Sequence, residues 1–193
     1  HIILTRASVR SVPEEVPEFF RNGEGMIAHM VLDPDVSKRS LPLLRGAEYP
    51  EHYLNRESLK GHELPESRYD FIKLCYELGV KPDRLGTLPY ALGEWTEHLA
   101  IAFAEYRRWP DNRNIKIKCL MYAGYIAHFA EDLCQPLHLT IHHHGRVDQD
   151  GTVHQKDIHE KVDGLLSYLK IEPDDLASTQ KVAPFEVLIK GIL

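Results

Sequence analysis

In the stretch "HFAEDLCQPLH", residues 128 to 138, two histidines and an aspartate surround an abrupt stop. His128 and Asp132 are four apart, so on a helix both side chains project from one face. An imidazole and a carboxylate at that separation can bind one metal ion, and both suit zinc. Pro136 cannot continue the helix, because it lacks an amide proton and its ring meets the preceding turn. His138 then falls just past the break, free to face a neighbouring ion. A second pair with the same spacing, His159 and Asp163, stands in "IHEKVD". Each pair alone also reads as a polar helix face; two pairs and a further histidine point to a metal centre.

Other residues could join them. "PEHYLN" carries His52, followed by Tyr53 and Asn55. "LDPDVSKRS" offers two carboxylates, Asp33 and Asp35, with Lys38 and Arg39 close behind, although "DPD" by itself is a helix terminator and turn. His142, His143 and His144 are consecutive and cannot all face one ion, so they read as a polar loop. His154 lies five before His159 and points elsewhere; His29 and His98 fall inside amphipathic helices. Ferritin-like di-iron bundles use Glu-x-x-His pairs, and no histidine here has a glutamate three residues before it. That class is excluded.

The chain of 193 residues is long enough for one domain with a real core. A net charge of -6 argues against a nucleic-acid binder that relies on a broad basic surface, yet leaves room for an enzyme that engages phosphates through metal ions. No apolar run approaches the roughly 20 residues needed to span a bilayer. Cys75, Cys119 and Cys134 have neither paired zinc spacing nor the pattern of a disulfide framework, though one disulfide plus a free thiol fits their number. The sequence opens at His1, and no signal peptide is visible in it.

The elements that must position these groups are helical. Apolar recurrence predicts a helix over 1–12 closed by Pro13, short helices in "PEEVPEFFRN" and "EGMIAHMVLD", and one in "SRYDFIKLCYELG" capped by Ser67 and stopped by Gly79. Residues 36 to 66 read as a long ordered loop with short turns. Two long helices follow, "LPYALGEWTEHLAIAFAEYRRW" and "NIKIKCLMYAGYIAHFAEDLC", the second apolar nearly all round and therefore central. Tyr90, Trp95 and Tyr106 have core spacing on the first. An amphipathic helix over "HQKDIHEKVDGLLSYLK" and a tail broken near Pro184 complete the chain. The expected fold class is all-α, a single-domain bundle, residues 1–193, around one long central helix.

With these residues assembled, the chain resembles the superfamily of zinc-dependent phospholipases C and fungal (S1/P1-type) single-strand nucleases. The most specific likeness is "HFAEDLCQPLH", similar to the family's His-x-x-x-Asp-x-x-x-x-x-His element with its Gln-Pro-Leu-His ending. "IHEKVD", "PEHYLN", "DPDVSKR" and "HIILTRA" resemble further family elements in the same order. The resemblance implies an all-α hydrolase with three zinc ions in a cleft. One ion would be held by Asp35, His52, His128 and Asp132. A second would be held by His138, His159 and Asp163, and a third by His1 and a shared Asp132. Family members supply the third ion with an amino group and carbonyl from a residue ahead of the helix histidine, so three ions are expected with such a residue and two without it. The Asp33 register remains an alternative to Asp35. Metal-bound hydroxide would cleave a phosphodiester, with Lys38 or Arg39 neutralising the transition state and Asp35 orienting the nucleophile. Tyr53 and Asn55 would contact substrate. That substrate is a phospholipid head group or a nucleic acid, with the phospholipase C side preferred; a non-catalytic zinc protein is a further alternative. Family likeness also implies a secreted or periplasmic location.

Overall fold

The computed structural model describes residues 1–178 and Val187. It is 66% helix and 2% strand, so the class is all-α. Its helices are α1 (Ile2–Arg10), α2 (Glu18–Arg21), α3 (Glu24–Met30), α4 (Asp33–Ser40), α5 (Pro42–Glu48), α6 (Arg68–Glu77), α7 (Pro82–Leu85), α8 (Leu88–Arg108) and α9 (Arg113–Cys134). After a two-stranded hairpin, β1 (Arg146–Val147) with β2 (Val153–His154), come α10 (Ile158–Asp163), α11 (Leu165–Tyr168) and α12 (Pro173–Leu176).

The long pair α8 and α9 is the spine. A four-residue connection turns one helix back along the other, and their contact is the most extensive between any two elements. Asn112 caps α9 by accepting the Asn114 amide at 3.0 Å. Leu88, Ala91, Leu92, Phe129 and Leu133 pack between the two helices near the site. On the other side, Val9, Phe20, Ile27, Leu120 and Ala123 join α1, α2 and α3 to α9. The approach of α3 needs a glycine: a Cβ at Gly124 would lie 2.5 Å from the Met30 Cβ, well inside van der Waals contact.

Three local expectations change. Residues 36–48, expected to open a long loop, belong to the two helices α4 and α5, because Pro34 and Pro42 sit in their first turns, where a missing amide proton is harmless. In α4, Asp33 and Asp35 lie at the start and Lys38 and Arg39 at the end, which suits the helix dipole. "DPD" therefore begins a helix instead of ending one. The remainder of that stretch keeps its turns, two short 3-10 segments at Tyr49–His52 and Arg56–Leu59. The long helix expected over 154–170 is broken: His154 belongs to β2, and α10 gives way to α11 at Gly164. Finally, no disulfide forms. Cys75 and Cys119 are buried thiols in separate clusters and Cys134 is exposed. The break near Pro184 lies outside the described residues. Among the described residues no helix is long and apolar enough to cross a membrane.

Candidate metal centre

The C-terminal turns of α9 present His128 and Asp132 on one face, both fully buried. His128 donates its Nδ1 proton to the Val31 carbonyl at 2.8 Å, because a carbonyl can only accept. Its Nε2 points into the site, 3.3 Å from Asp132 Oδ2 and 2.8 Å from His52 Nδ1. The close approach at Gly124, one turn before His128, puts the end of α3 and hence Val31 in reach. A glycine in the core thus orients a site histidine.

His52 arrives from the 3-10 segment after α5, with Nδ1 at 2.9 Å from Asp132 Oδ2. Its Nε2 is buried without a partner. Burial pushes His52 down to about 4, against the pull of Asp132, so it is a neutral imidazole at ordinary pH. Burial would raise the Asp132 carboxyl, but hydrogen bonds from His128 and His52 outweigh it and hold the group ionised well below the usual carboxylate range. Asp35 on α4 completes this set, its ligand oxygen within 4.8 Å of the His52 and His128 nitrogens. Lys38 Nζ lies 2.5 Å from Asp35 Oδ1, and Arg39 reaches Oδ2 at 3.7 Å. Burial pushes Asp35 up, yet the Lys38 bond overcomes it and the carboxyl stays low. Between the two candidate carboxylates, Asp35 is the one in the cluster.

The other oxygen of Asp132 faces a different set. Oδ1 lies 3.5 Å from His1 Nε2 and 3.4 Å from His138 Nδ1. His1, His128 and Asp132 form a second group whose ligand atoms all lie within 4.8 Å. His1 is oriented by Glu131, whose Oε2 is 2.8 Å from Nδ1, while Thr5 donates its hydroxyl to Oε1 at 2.8 Å. Burial lowers the His1 imidazole, but the bond to Glu131 and the charge of Asp132 more than compensate and raise it.

The third group is His138, His159 and Asp163. His138 donates Nδ1–H to the His52 carbonyl at 2.6 Å, and Leu54 N–H returns to the His138 carbonyl at 2.8 Å. This exchange ties the "PEHYLN" segment to the turn after α9. His138 Nε2 faces His159 Nε2 at 2.7 Å, and His159 Nε2 is 3.1 Å from Asp163 Oδ2. Two imidazole nitrogens this close repel unless a proton or a cation lies between them. Gln135 steadies the set by donating to Asp163 Oδ1 at 3.0 Å. Burial pushes His159 down, against the charge of Asp163.

All eight residues expected to hold metal fall into these three groups, which draw on elements spread from His1 to Asp163. Tyr53 and Asn55 stand elsewhere. The Tyr53 hydroxyl donates to the Asp83 carbonyl and Asn55 Nδ2 to the Arg84 carbonyl at 2.7 Å, so their polar ends hold the α7 segment. Tyr53 still lines a groove of about 480 Å³ with Tyr49, Arg39, Arg45 and Arg84. Glu131, Thr5 and Gln135 were not foreseen as orienting residues. For Glu131 the signal was its place beside Asp132, but its partner His1 is 130 positions away.

No known protein family, curated protein or solved structure matches this chain. The case for a metal rests on the donor set itself. Imidazole nitrogens and carboxylate oxygens are zinc ligands. The three Nδ1 atoms of His1, His128 and His138 are already engaged by oxygen acceptors, the outer contacts that metal-binding histidines characteristically make. The residues present fit a metal ion.

Proposed function

We propose that this protein is a zinc-dependent phosphodiester hydrolase of the phospholipase C type, with the helical architecture of the phospholipase C and P1-nuclease superfamily. The observation that carries the reading is Asp132, whose two oxygens face two different imidazole sets beside a lysine-paired Asp35. Asp35, His52, His128 and Asp132 would hold one ion, His1 and Asp132 another, and His138, His159 and Asp163 a third. Bound zinc supplies Lewis acidity toward a phosphoryl oxygen and lowers the pKa of water toward neutrality. The protein's own contribution is charge and orientation. Neutral His52 offers a lone pair without first losing a proton, and ionised Asp132 supplies negative charge to both sets. Lys38, held at the edge of the site by Asp35, is placed to meet a phosphate and neutralise its charge. By its likeness to that superfamily, the protein would be secreted or periplasmic.

A single-strand nuclease on the same site is the second reading, and the groove of Tyr49, Tyr53, Arg39, Arg45 and Arg84 favours it, since bases stack on aromatic rings and phosphates pair with arginines. A parallel assay separates the two. Short-chain phosphatidylcholine, single-stranded DNA and RNA, and a chromogenic phosphodiester are each offered with zinc and with a strong chelator. The proposal expects chelator-sensitive, zinc-restored hydrolysis that is fastest on phosphatidylcholine. Faster turnover of nucleic acid would transfer the reading to the nuclease, and hydrolysis of no phosphodiester would leave a zinc-binding protein only.

A further inference from the structure

Short helix α5 buries none of its seven residues, although it begins Pro-Leu-Leu. Leu43 is 89% exposed, Leu41 just before the helix 64%, and Val36 on α4 60%, with Leu44 beside them at 41%. Other exposed apolar side chains include Tyr69 and Tyr76 on α6 and Leu165, Tyr168 and Leu169 at α11. Four apolar residues within nine positions form a patch of the kind that marks an interaction site. Helices α4 and α5 balance Asp33, Asp35 and Glu48 against Lys38, Arg39 and Arg45, but the groove beside the leucines is basic. The adjoining groove is lined by Arg39, Arg45 and Arg84 against one acid, Asp83, whereas the chain as a whole carries -6.

We propose that the α4–α5 corner is a membrane-docking surface, with Leu41, Leu43 and Leu44 entering the acyl edge of a phospholipid layer while Arg39 and Arg45 meet its phosphates. Leucines backed by arginines are what an interfacial helix presents to lipid. A nucleic acid would use the arginines but has no need of three exposed leucines. Location supports the same occupant: Asp35 and Lys38 lie on α4, so docking this corner brings the metal centre to the headgroup layer. The inference rests on the phospholipase C reading for its choice of lipid, and is tested separately from it.

The test uses zinc-loaded protein and sucrose-loaded vesicles, made either of phosphatidylcholine or of phosphatidylcholine with an equal part of phosphatidylserine. The native protein should sediment with both and more strongly with the second. Leu43→Asp with Leu44→Asp should weaken sedimentation by roughly tenfold for each leucine, while turnover of the soluble chromogenic phosphodiester is unchanged. Leu43→Trp should keep binding and show blue-shifted emission only with vesicles. Absence of sedimentation, or sedimentation indifferent to the aspartates, overturns the proposal. A solution dimer broken by Leu43→Asp without vesicle binding also overturns it and assigns the face to a second copy. Leucine-dependent binding by a protein that hydrolyses no phosphodiester leaves docking standing and removes the hydrolase reading.

Discussion

The two sides of the candidate centre are built differently. Asp132 and its partners His52 and His128 come from α9 and the segments packed on it, and each is at most 3% exposed. The set of His138, His159 and Asp163 hangs partly on the short helix α10, where the Asp163 side chain is 49% exposed and that of His159 is 21% exposed. The first is positioned by the hydrophobic core and exists before any ligand arrives. The second draws its order from a few polar bonds, Gln135 to Asp163 and Glu57 to the Thr140 hydroxyl and the Ile141 amide. Preorganised ligands lose less entropy on binding, so the buried side should hold metal more firmly and the exposed side exchange it faster.

The largest contrast should come from the shared carboxylate. Asp132→Asn removes the charge shared by the His52–His128 set and the His1 set and should cut phosphodiester turnover by about a thousandfold or more. Asp163→Asn touches one exposed set only, and should cost roughly ten- to a hundredfold, with part of the loss restored by raising zinc. Equal losses measured in the same kinetic assay would show that the two sides do not differ as described.

Glu131→Gln keeps the shape but removes the carboxylate charge that orients His1. It should weaken zinc binding about ten- to a hundredfold in the set of His1 and Asp132. The set of His138, His159 and Asp163 should be unaffected, and competition with a chromogenic chelator reads both.

A smaller effect concerns pH in metal-stripped protein. His52 is held to about 4 by burial when folded, against an ordinary value near 6.5 when unfolded. The unfolded chain therefore takes up a proton first as pH falls. Its stabilising contribution is complete above pH ~6.5 and is lost toward pH 4, by about 3 kcal/mol in all. Urea midpoints across that range should fall in the native protein and flatten in His52→Gln. Gly124→Ala completes the series. Crowding Met30 should destabilise the fold by about 1–3 kcal/mol and pull the Val31 carbonyl away from His128.

The sequence made some of this legible and hid the rest for physical reasons. The 3.6-residue apolar recurrence in α8 and α9 marks both helices, and the four-residue spacing of His128 and Asp132 gives their shared face directly. Helix α4 was missed because it buries only Pro34; its signal is the charge order from Asp33 and Asp35 to Lys38 and Arg39. The β1–β2 hairpin has two residues per strand and leaves almost no alternation to read. Orienting contacts such as Glu131 to His1 and Val31 to His128 cross 130 and 97 positions, and only tertiary packing brings them together.

The most direct test of the account is to count zinc per chain, by elemental analysis with the mass of the same sample, in the native protein and in Asp132→Asn. The account predicts about three ions in the native protein, or two if the shell around His1 lacks an N-terminal partner. Asp132→Asn should retain about one, held by His138, His159 and Asp163, because that set does not use the lost carboxylate. An Asp132→Asn protein that keeps its full zinc and normal turnover would contradict the shared-carboxylate centre and leave "HFAEDLCQPLH" as the end of a helix.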